Sequence, residues 1–222
     1  MPTRQHSGIV ALVSGGLDSL VLTHRLLAGG SVVCPVYVRG GLIWETSELF
    51  WLRRWLTALR HPRLKPLHIL ELSLRSLYGA HWSLTGRGIP SKSSRDAAVY
   101  LPGRNVLLLG HAAIHAAQRG LSRLAMGILA GNPFGDASPA FFRQLSATLG
   151  RALSTTIRIE TPLRSLSKAS VIRLHKNLPL GLTFSCLEPT QRHRHCGRCN
   201  KCAERQRGFR LAGVPDPTEY AA

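Results

Sequence analysis

Residues 8–30 read GIVALVSGGLDSLVLTHRLLAGG, an apolar run, a turn with two glycines, and an apolar-periodic segment closed by Gly29 and Gly30. A strand that enters a helix through so short a turn leaves the first N–H groups of the helix unpaired at the turn, backed by the positive end of the helix dipole. The turn is therefore a ready anion site. It lacks the Gly-Lys-Ser/Thr ending of a Walker A sequence and the spacing of a dinucleotide-binding Gly-x-Gly-x-x-Gly. It carries Asp18 instead, and the plainest reading of that carboxylate is a helix N-cap.

The rest of the chain repeats the same alternation. Strands are expected at 9–13, 32–38, 67–72, 123–129 and 155–160, and helices near 19–28, 47–60, 104–119, 138–150 and 168–177. Five apolar strands separated by helices predict an α/β fold: a Rossmann-like parallel five-stranded sheet with helices on both faces. In the second helix Leu49, Leu52, Leu56 and Leu59 share one face, the pattern of a core stripe. Between residues 73 and 101 the pattern lapses into a Gly-, Ser-, Arg- and His-rich stretch, expected to be an active-site loop, a lid or a poorly ordered excursion. A boundary near Gly181 divides a nucleotide-binding domain, 1–180, from a cysteine-rich tail, 181–222.

A chain of 222 residues with 44% hydrophobic content can bury a core of ordinary size. No run of about 18 apolar residues occurs, and the first thirty residues lack the pattern of a secretory signal, so a soluble cytoplasmic protein is expected without a membrane partner. The balance of 29 Lys+Arg against 11 Asp+Glu, a net charge of +18, invites an anionic partner. The basic residues are scattered, however, and 24 of the 29 are Arg, which fits a composition bias equally well; nucleic acid stays open as a partner and is not favoured.

Four of the five cysteines crowd at one end, Cys186 and then Cys196, Cys199 and Cys202 in HCGRCNKC. In a cytoplasmic chain such spacing favours a metal over disulfides. Four thiolates close around one tetrahedral ion, and zinc in a structural role is expected, with an iron–sulfur cluster as the alternative. His193 and His195 are read as exposed loop residues, since four cysteines complete the shell. Cys34, in the strand SVVCPVYV, is read as a small core residue.

SGGLDS as a whole resembles the PP-loop of the ATP pyrophosphatases, which split ATP between its α- and β-phosphates. In that setting Asp18 supplies a hard oxygen to Mg²⁺, directly or through water. Taken with the central LPGRN, the segment TPLRSLSKA and the tail FSC…HCGRCNKCAERQRGFRLAGVPDPTEY, the chain resembles the 7-cyano-7-deazaguanine synthase family across residues 10–220. The resemblance implies an adenine nucleotide alpha hydrolase-like fold with a small C-terminal zinc-binding subdomain. It implies ATP-dependent conversion of 7-carboxy-7-deazaguanine and ammonia into the nitrile, a queuosine precursor, through adenylate and amide intermediates. Leu12, Val13, Ser14, Gly15, Gly16, Leu17, Asp18 and Ser19 would then bind ATP. Asp18, Lys168 and Arg104 would be catalytic, with Lys168 neutralising phosphates from the opposite loop. Asn105 would contact substrate, although Arg104 and Asn105 can also be read as caps of the helix that follows. The loop GNPFGDASPAFF follows a strand at its C-terminal end, where open α/β sheets bind ligands. Phe134 is therefore expected to stack on the planar base, and Asp136 to accept from its N–H groups. A small-molecule substrate is expected, and a homodimer is allowed for.

The chain departs from the family in three places. It reads VYVRGGLIWE after the second strand, where an Asp-Tyr-Gly-Gln motif is usual; GNPFGDASPAFF replaces a Ser-Gly-Tyr-Pro-Asp stretch; and Ser170 stands where Glu is usual. These leave open a related ligase that stops at the amide or joins the acyl group to another amine. A PP-loop enzyme that adenylates a tRNA base before thiolation, and a catalytically inert zinc-ribbon module, are further alternatives.

Overall fold

A computed structural model describes residues 8–221. Residues 1–7 and 222, at the outer ends of the two expected domains, lie outside the described residues. The elements run β1 (Gly8–Leu12), α1 (Leu17–Ala28), β2 (Val32–Arg39), α2 (Glu45–Leu59), β3 (His68–Glu71), α3 (Arg75–Tyr78), α4 (Trp82–Thr85), α5 (Arg104–Ala117), β4 (Arg123–Ala125), α6 (Pro139–Ala152), β5 (Arg158–Glu160), α7 (Lys168–Leu174) and α8 (Asn200–Ala212). The strands form one sheet in the order β3-β2-β1-β4-β5, every neighbouring pair parallel, with Ile9 opposite both Val33 and Arg123.

Because successive strand residues face opposite sides, the run IVALV supplies two cores at once. Ile9, Ala11 and Val13 pack with buried residues of α1, α2, α7 and α8, whereas Val10 and Leu12 pack with α5 and α6. Ile9, Val10 and Ala11 are wholly buried, as expected of a central parallel strand covered on both faces. The Leu stripe of α2 is core: Leu49 and Leu52 are buried, and Leu56 and Leu59 pack against the same cluster. Cys34 packs half-buried against the α5–α6 side.

The order reverses at β1, since β2 and β3 lie on one side of it and β4 and β5 on the other. Ligands in open α/β sheets bind at the carboxyl ends of the strands at this switch. Here that crevice lies between the turn after β1 and the segment after β4. Gly127, two residues past β4, lies close against α1: a Cβ there would stand 3.2 Å from the Asp18 carbonyl oxygen, a tight approach.

Three outer elements are shorter than their sequence patterns. β4 ends at Ala125, although Met126 N–H still donates to the Glu160 carbonyl at 3.0 Å, because the chain then turns off the sheet toward Gly131. β5 begins only at Arg158, and α7 stops at Leu174, ahead of Pro179. Residues 73–101 are ordered by packing. Leu74, Leu84, Val99 and Leu101 join Trp44, Phe184, Leu187 and the four tail cysteines in a third core. Backbone bonds fasten this stretch to the tail, Lys92 N–H to the Arg198 carbonyl and Asn200 N–H to the Pro90 carbonyl, both at 2.9 Å. Among the described residues no helix is long and apolar enough to cross a membrane.

Candidate active site

Gly16 is the N-cap of α1 and has no side chain to cap it, so the first turn presents backbone N–H groups toward the crevice. Ser19 Oγ accepts from Ser14 N–H at 3.0 Å and lies 3.2 Å from Ser14 Oγ, which closes the turn on itself. Gly15 sits at φ +77°, and a Cβ there would meet the Glu48 carbonyl oxygen at 2.6 Å. Leu12 and Val13 are buried strand residues beneath the turn, and Leu17 is buried behind it. Ser14, Gly16, Leu17, Asp18 and Ser19 all line a cavity of about 280 Å³.

Asp18 is not the helix cap. It stands two positions past Gly16, and both of its carboxylate oxygens accept from Lys168 Nζ, at 2.9 and 2.8 Å. Lys168 opens α7, where Ser167 caps the helix by accepting from Ser170 N–H. The ammonium also lies 3.3 Å from Glu204 Oε1 on α8, and Lys201 Nζ donates to Glu204 Oε2 at 2.6 Å. The result is an alternating row, Asp18, Lys168, Glu204, Lys201, built from α1, α7 and α8. Burial would lower the Lys168 pKa, but Asp18 and Glu204 more than offset it and leave it above the usual lysine value. Burial would raise Glu204; Lys168 and Lys201 outweigh it and hold the carboxyl at about 2.

This row, together with Gly127, also lines a second cavity of about 390 Å³ whose far wall includes Phe134, Asp96 and Arg207. Phe134 is stacked on Tyr100, ring centroids 4.5 Å apart. Asn105 and Asp136 have another task. Asp136 is buried, its Oδ2 accepts from Asn105 N–H at 3.2 Å and its carbonyl accepts from Asn105 Nδ2 at 2.9 Å, and neither residue lines either cavity. The carboxylate thereby satisfies an N–H that α5 cannot pair internally, since its cap is Gly103 and offers no side chain. Arg104 does line the first cavity, beside Glu48.

The four cysteines converge. Cys186, Cys196, Cys199 and Cys202 are buried, with all four Sγ atoms within 4.8 Å of one another. Cys196 and Cys202 are 3.9 Å apart, and Cys186 and Cys199 are 4.0 Å apart. Tetrahedral Zn–S bonds of about 2.3 Å require sulfurs about 3.8 Å apart, so the cluster fits such an ion. Backbone N–H groups of Glu188 and Cys196 donate to Cys186 Sγ, and that of Leu187 to Cys199 Sγ, the arrangement that supports thiolate charge. The cluster is tied to the turn between β1 and α1, since Phe184 N–H, two residues before Cys186, donates to the Gly15 carbonyl at 2.9 Å.

Two expectations about the tail need correction. His195 is buried: its Nε2 accepts from Ser185 N–H at 3.0 Å, and burial, with the nearby Arg205 charge, lowers its pKa to about 3. His193 also faces inward, with Nδ1 3.0 Å from Ser47 Oγ and its carbonyl accepting from Trp51 Nε1. Phe184, Leu187 and Phe209 are buried and anchor the tail, whereas Leu211 is 62% exposed. Arg205 ties the same side of the tail by hydrogen bonds. It is 3% exposed and donates to Thr218 Oγ1, Thr183 Oγ1 and the Leu180 carbonyl.

Glu48, Lys201 and Glu204 were missed from sequence, as was Gly127. Glu204 did leave a trace, as the one carboxylate between Glu188 and Asp216 in a strongly basic tail. Glu48 reads as one more polar position beside a Leu stripe, and Gly127 carries no motif.

The family model described as queuosine biosynthesis protein QueC matches residues 8–213. The 7-cyano-7-deazaguanine synthase of Anaeromyxobacter dehalogenans (strain 2CP-C) is 34% identical over 227 residues, covering 96% of this chain and 95% of that protein. The enzyme of the same name from Xanthomonas campestris pv. campestris (strain B100) is 33% identical, covering 96% and 97%. Two solved structures share the fold with a TM-score of 0.53. One is described as a predicted subunit of tRNA methyltransferase from Methanocaldococcus jannaschii, 16% identical over 97% of this chain and 92% of that one. The other is a 4-thiouridine synthetase in complex with RNA and bound ATP, 17% identical over 96% of this chain and 47% of that one. At such identity they establish the architecture alone, a five-stranded parallel sheet with helices on both faces. On the match over most of its length and the identity to full-length relatives, the chain belongs to the QueC family of queuosine biosynthesis proteins.

Proposed function

We propose that the chain is an ATP-dependent carbon–nitrogen ligase that converts 7-carboxy-7-deazaguanine and ammonia into 7-cyano-7-deazaguanine. The observation that carries this reading is the phosphate turn of α1 with Asp18 and Lys168 at its mouth, shared between two adjoining cavities. The reaction needs only small-molecule partners, and its use of ATP fits a cytoplasmic setting.

Residues Leu12 to Ser19 form the nucleotide site: Leu12, Val13 and Leu17 hold the turn in place, and the Gly15–Ser19 backbone faces the phosphates. Activation as an acyl adenylate turns a poor leaving group into AMP, and the charge that builds on pyrophosphate is met by N–H groups, by Lys168 and by Arg104. Asp18 would hold Mg²⁺, which supplies charge neutralisation at the polyphosphate. When Asp18 takes that role Lys168 is released toward the phosphates, and Glu204 keeps the ammonium from leaving the site. Phe134 offers the planar base a stacking surface in the second cavity. Asn105 and Asp136 act one step back, fixing the start of α5 and so the direction of Arg104. The four cysteines would hold one structural zinc with no open position for water or substrate, in a tail, 181–222, that braces the nucleotide domain, 1–180.

Phosphorus NMR of a reaction containing 7-carboxy-7-deazaguanine, ATP, Mg²⁺ and ammonium tests this. AMP and pyrophosphate should appear only when the deazaguanine acid is present. ADP and phosphate, or ATP consumption indifferent to the acid, would overturn it.

A further inference from the structure

One acidic group in the nucleotide cavity has no part in the reaction as written. Glu48 projects from α2 into the cavity lined by Ser14, Asp18, Lys168 and Arg104. Its Oε2 accepts from Tyr37 Oη at 2.7 Å, and Tyr37 is 2% exposed in β2, so a rigid core hydroxyl fixes the carboxyl. Its own backbone is pressed against the phosphate turn at Gly15. The cation that faces it is Arg104 of α5, whose Nε is buried without a hydrogen-bond partner among the described residues. The other titratable neighbours are Glu45 on α2 and, around the same cavity, Asp18, Lys168, Cys186, Lys201, Glu204 and Arg205.

A carboxylate kept for an ion pair is driven below the usual range, as Glu204 is. Glu48 behaves oppositely: burial pushes it up to about 8, against the pull of Arg104 and of the Tyr37 hydroxyl. A fixed carboxyl in a cavity that gains and loses its proton near neutrality has the properties of an acid–base group.

We infer that Glu48 is the proton acceptor for the incoming amine in the amide-forming step. The inference rests on the proposed reading that an acyl adenylate forms in this cavity. The ammonia nitrogen attacks the acyl carbon, the new C–N bond forms, and the C–O bond to AMP breaks with its electron pair going to the AMP phosphate oxygen. The proton shed by nitrogen passes to the Glu48 carboxylate. Adenylation needs no such base, since the substrate carboxylate enters already ionised. The two half-reactions therefore depend on Glu48 differently.

That difference sets the test. Adenylation is read as exchange of labelled pyrophosphate into ATP, dependent on 7-carboxy-7-deazaguanine and without ammonium; amide formation is read by single turnover with ammonium between pH 6 and 9.5. Glu48→Gln should keep exchange within about twofold and lose amide formation by about 10²-fold or more, together with its rise with pH. Tyr37→Phe keeps the carboxyl but removes a donor to its ionised form, so the midpoint of the pH profile should move upward. Amide formation at the wild-type rate in Glu48→Gln, or equal loss of both half-reactions, would overturn the assignment. Absence of exchange in the wild-type protein would instead overturn the proposed activity, and the inference with it.

Discussion

Asp18 has two competing claims on the same oxygens. In the structure both accept from Lys168, yet a polyphosphate in the α1 turn with its Mg²⁺ would claim them too. The pair is about three quarters buried, but Lys168 keeps Glu204 3.3 Å away as a second carboxylate, so removing the Asp18 charge does not orphan the ammonium and costs about 1 kcal/mol. Asp18→Asn should then shift the melting temperature by no more than ~4 °C while lowering kcat/KM by about 10²-fold or more. Near-normal turnover at saturating Mg²⁺ would remove Asp18 from the chemistry. Gly15→Ala should act on the fold as well. At φ +77° with Glu48 backbone 2.6 Å from the added carbon, relief requires moving α2 against the turn, at a cost of about 1–3 kcal/mol measurable by urea unfolding. These residues were legible because a Gly-rich turn between strand and helix is a local feature. Glu48 and Glu204 were not, since their partners stand on other elements: Tyr37 on β2 for the one, Lys168 on α7 for the other.

At the scale of elements, α8 joins the cysteine cluster to the candidate active site. Its first turn carries Cys202, its second Glu204 and Arg205, and its end packs Phe209 into the core beneath α7. The Glu204 pKa of about 2, below the ordinary 4.5, means that its pairing with Lys168 and Lys201 stabilises the fold above about pH 4.5 and is lost as pH falls toward 2. The stabilisation at stake is at most about 3 kcal/mol. In Glu204→Gln the acid side of a stability-against-pH curve should be flatter over that window, and an unchanged slope would contradict the pairing. The cysteine cluster makes a second demand on α8. Little apolar content lies between Glu188 and Gln206, so on the proposed reading ordering there would depend on a bound ion, and binding energy would become folding energy. Cys199→Ser should reduce zinc content and lower the melting temperature together, by ~10 °C or more. Iron with labile sulfide, or a zinc-free protein of undiminished stability, would contradict that. The spacing of the cysteines was enough to read this cluster. The spacing was silent on residues 73–101, because a chain without periodicity can be ordered by what it covers, here the cysteine tail through Leu84, Val99 and Leu101.

Over the whole molecule, five parallel strands bring every β-to-α turn to one edge, and the reversal of order at β1 opens the crevice there. That logic was readable from alternating strands and helices. The register of the sheet, and the placing of α7 and α8 together over the turn of α1, were not, because they follow from packing among elements far apart in sequence. The same distance explains why Asp136 looked like a substrate ligand: its loop ends at the right edge, but its carboxylate is already engaged by the start of α5. The departures VYVRGGLIWE and GNPFGDASPAFF flank the two cavities, so they bear on the end product more than on ATP use. Mass spectrometry of the products formed from 7-carboxy-7-deazaguanine, ATP, Mg²⁺ and ammonium addresses the central claim directly. The account predicts the nitrile, 7-cyano-7-deazaguanine, with the amide passing through as an intermediate. Accumulation of the amide without nitrile, or recovery of the unreacted acid, would contradict it.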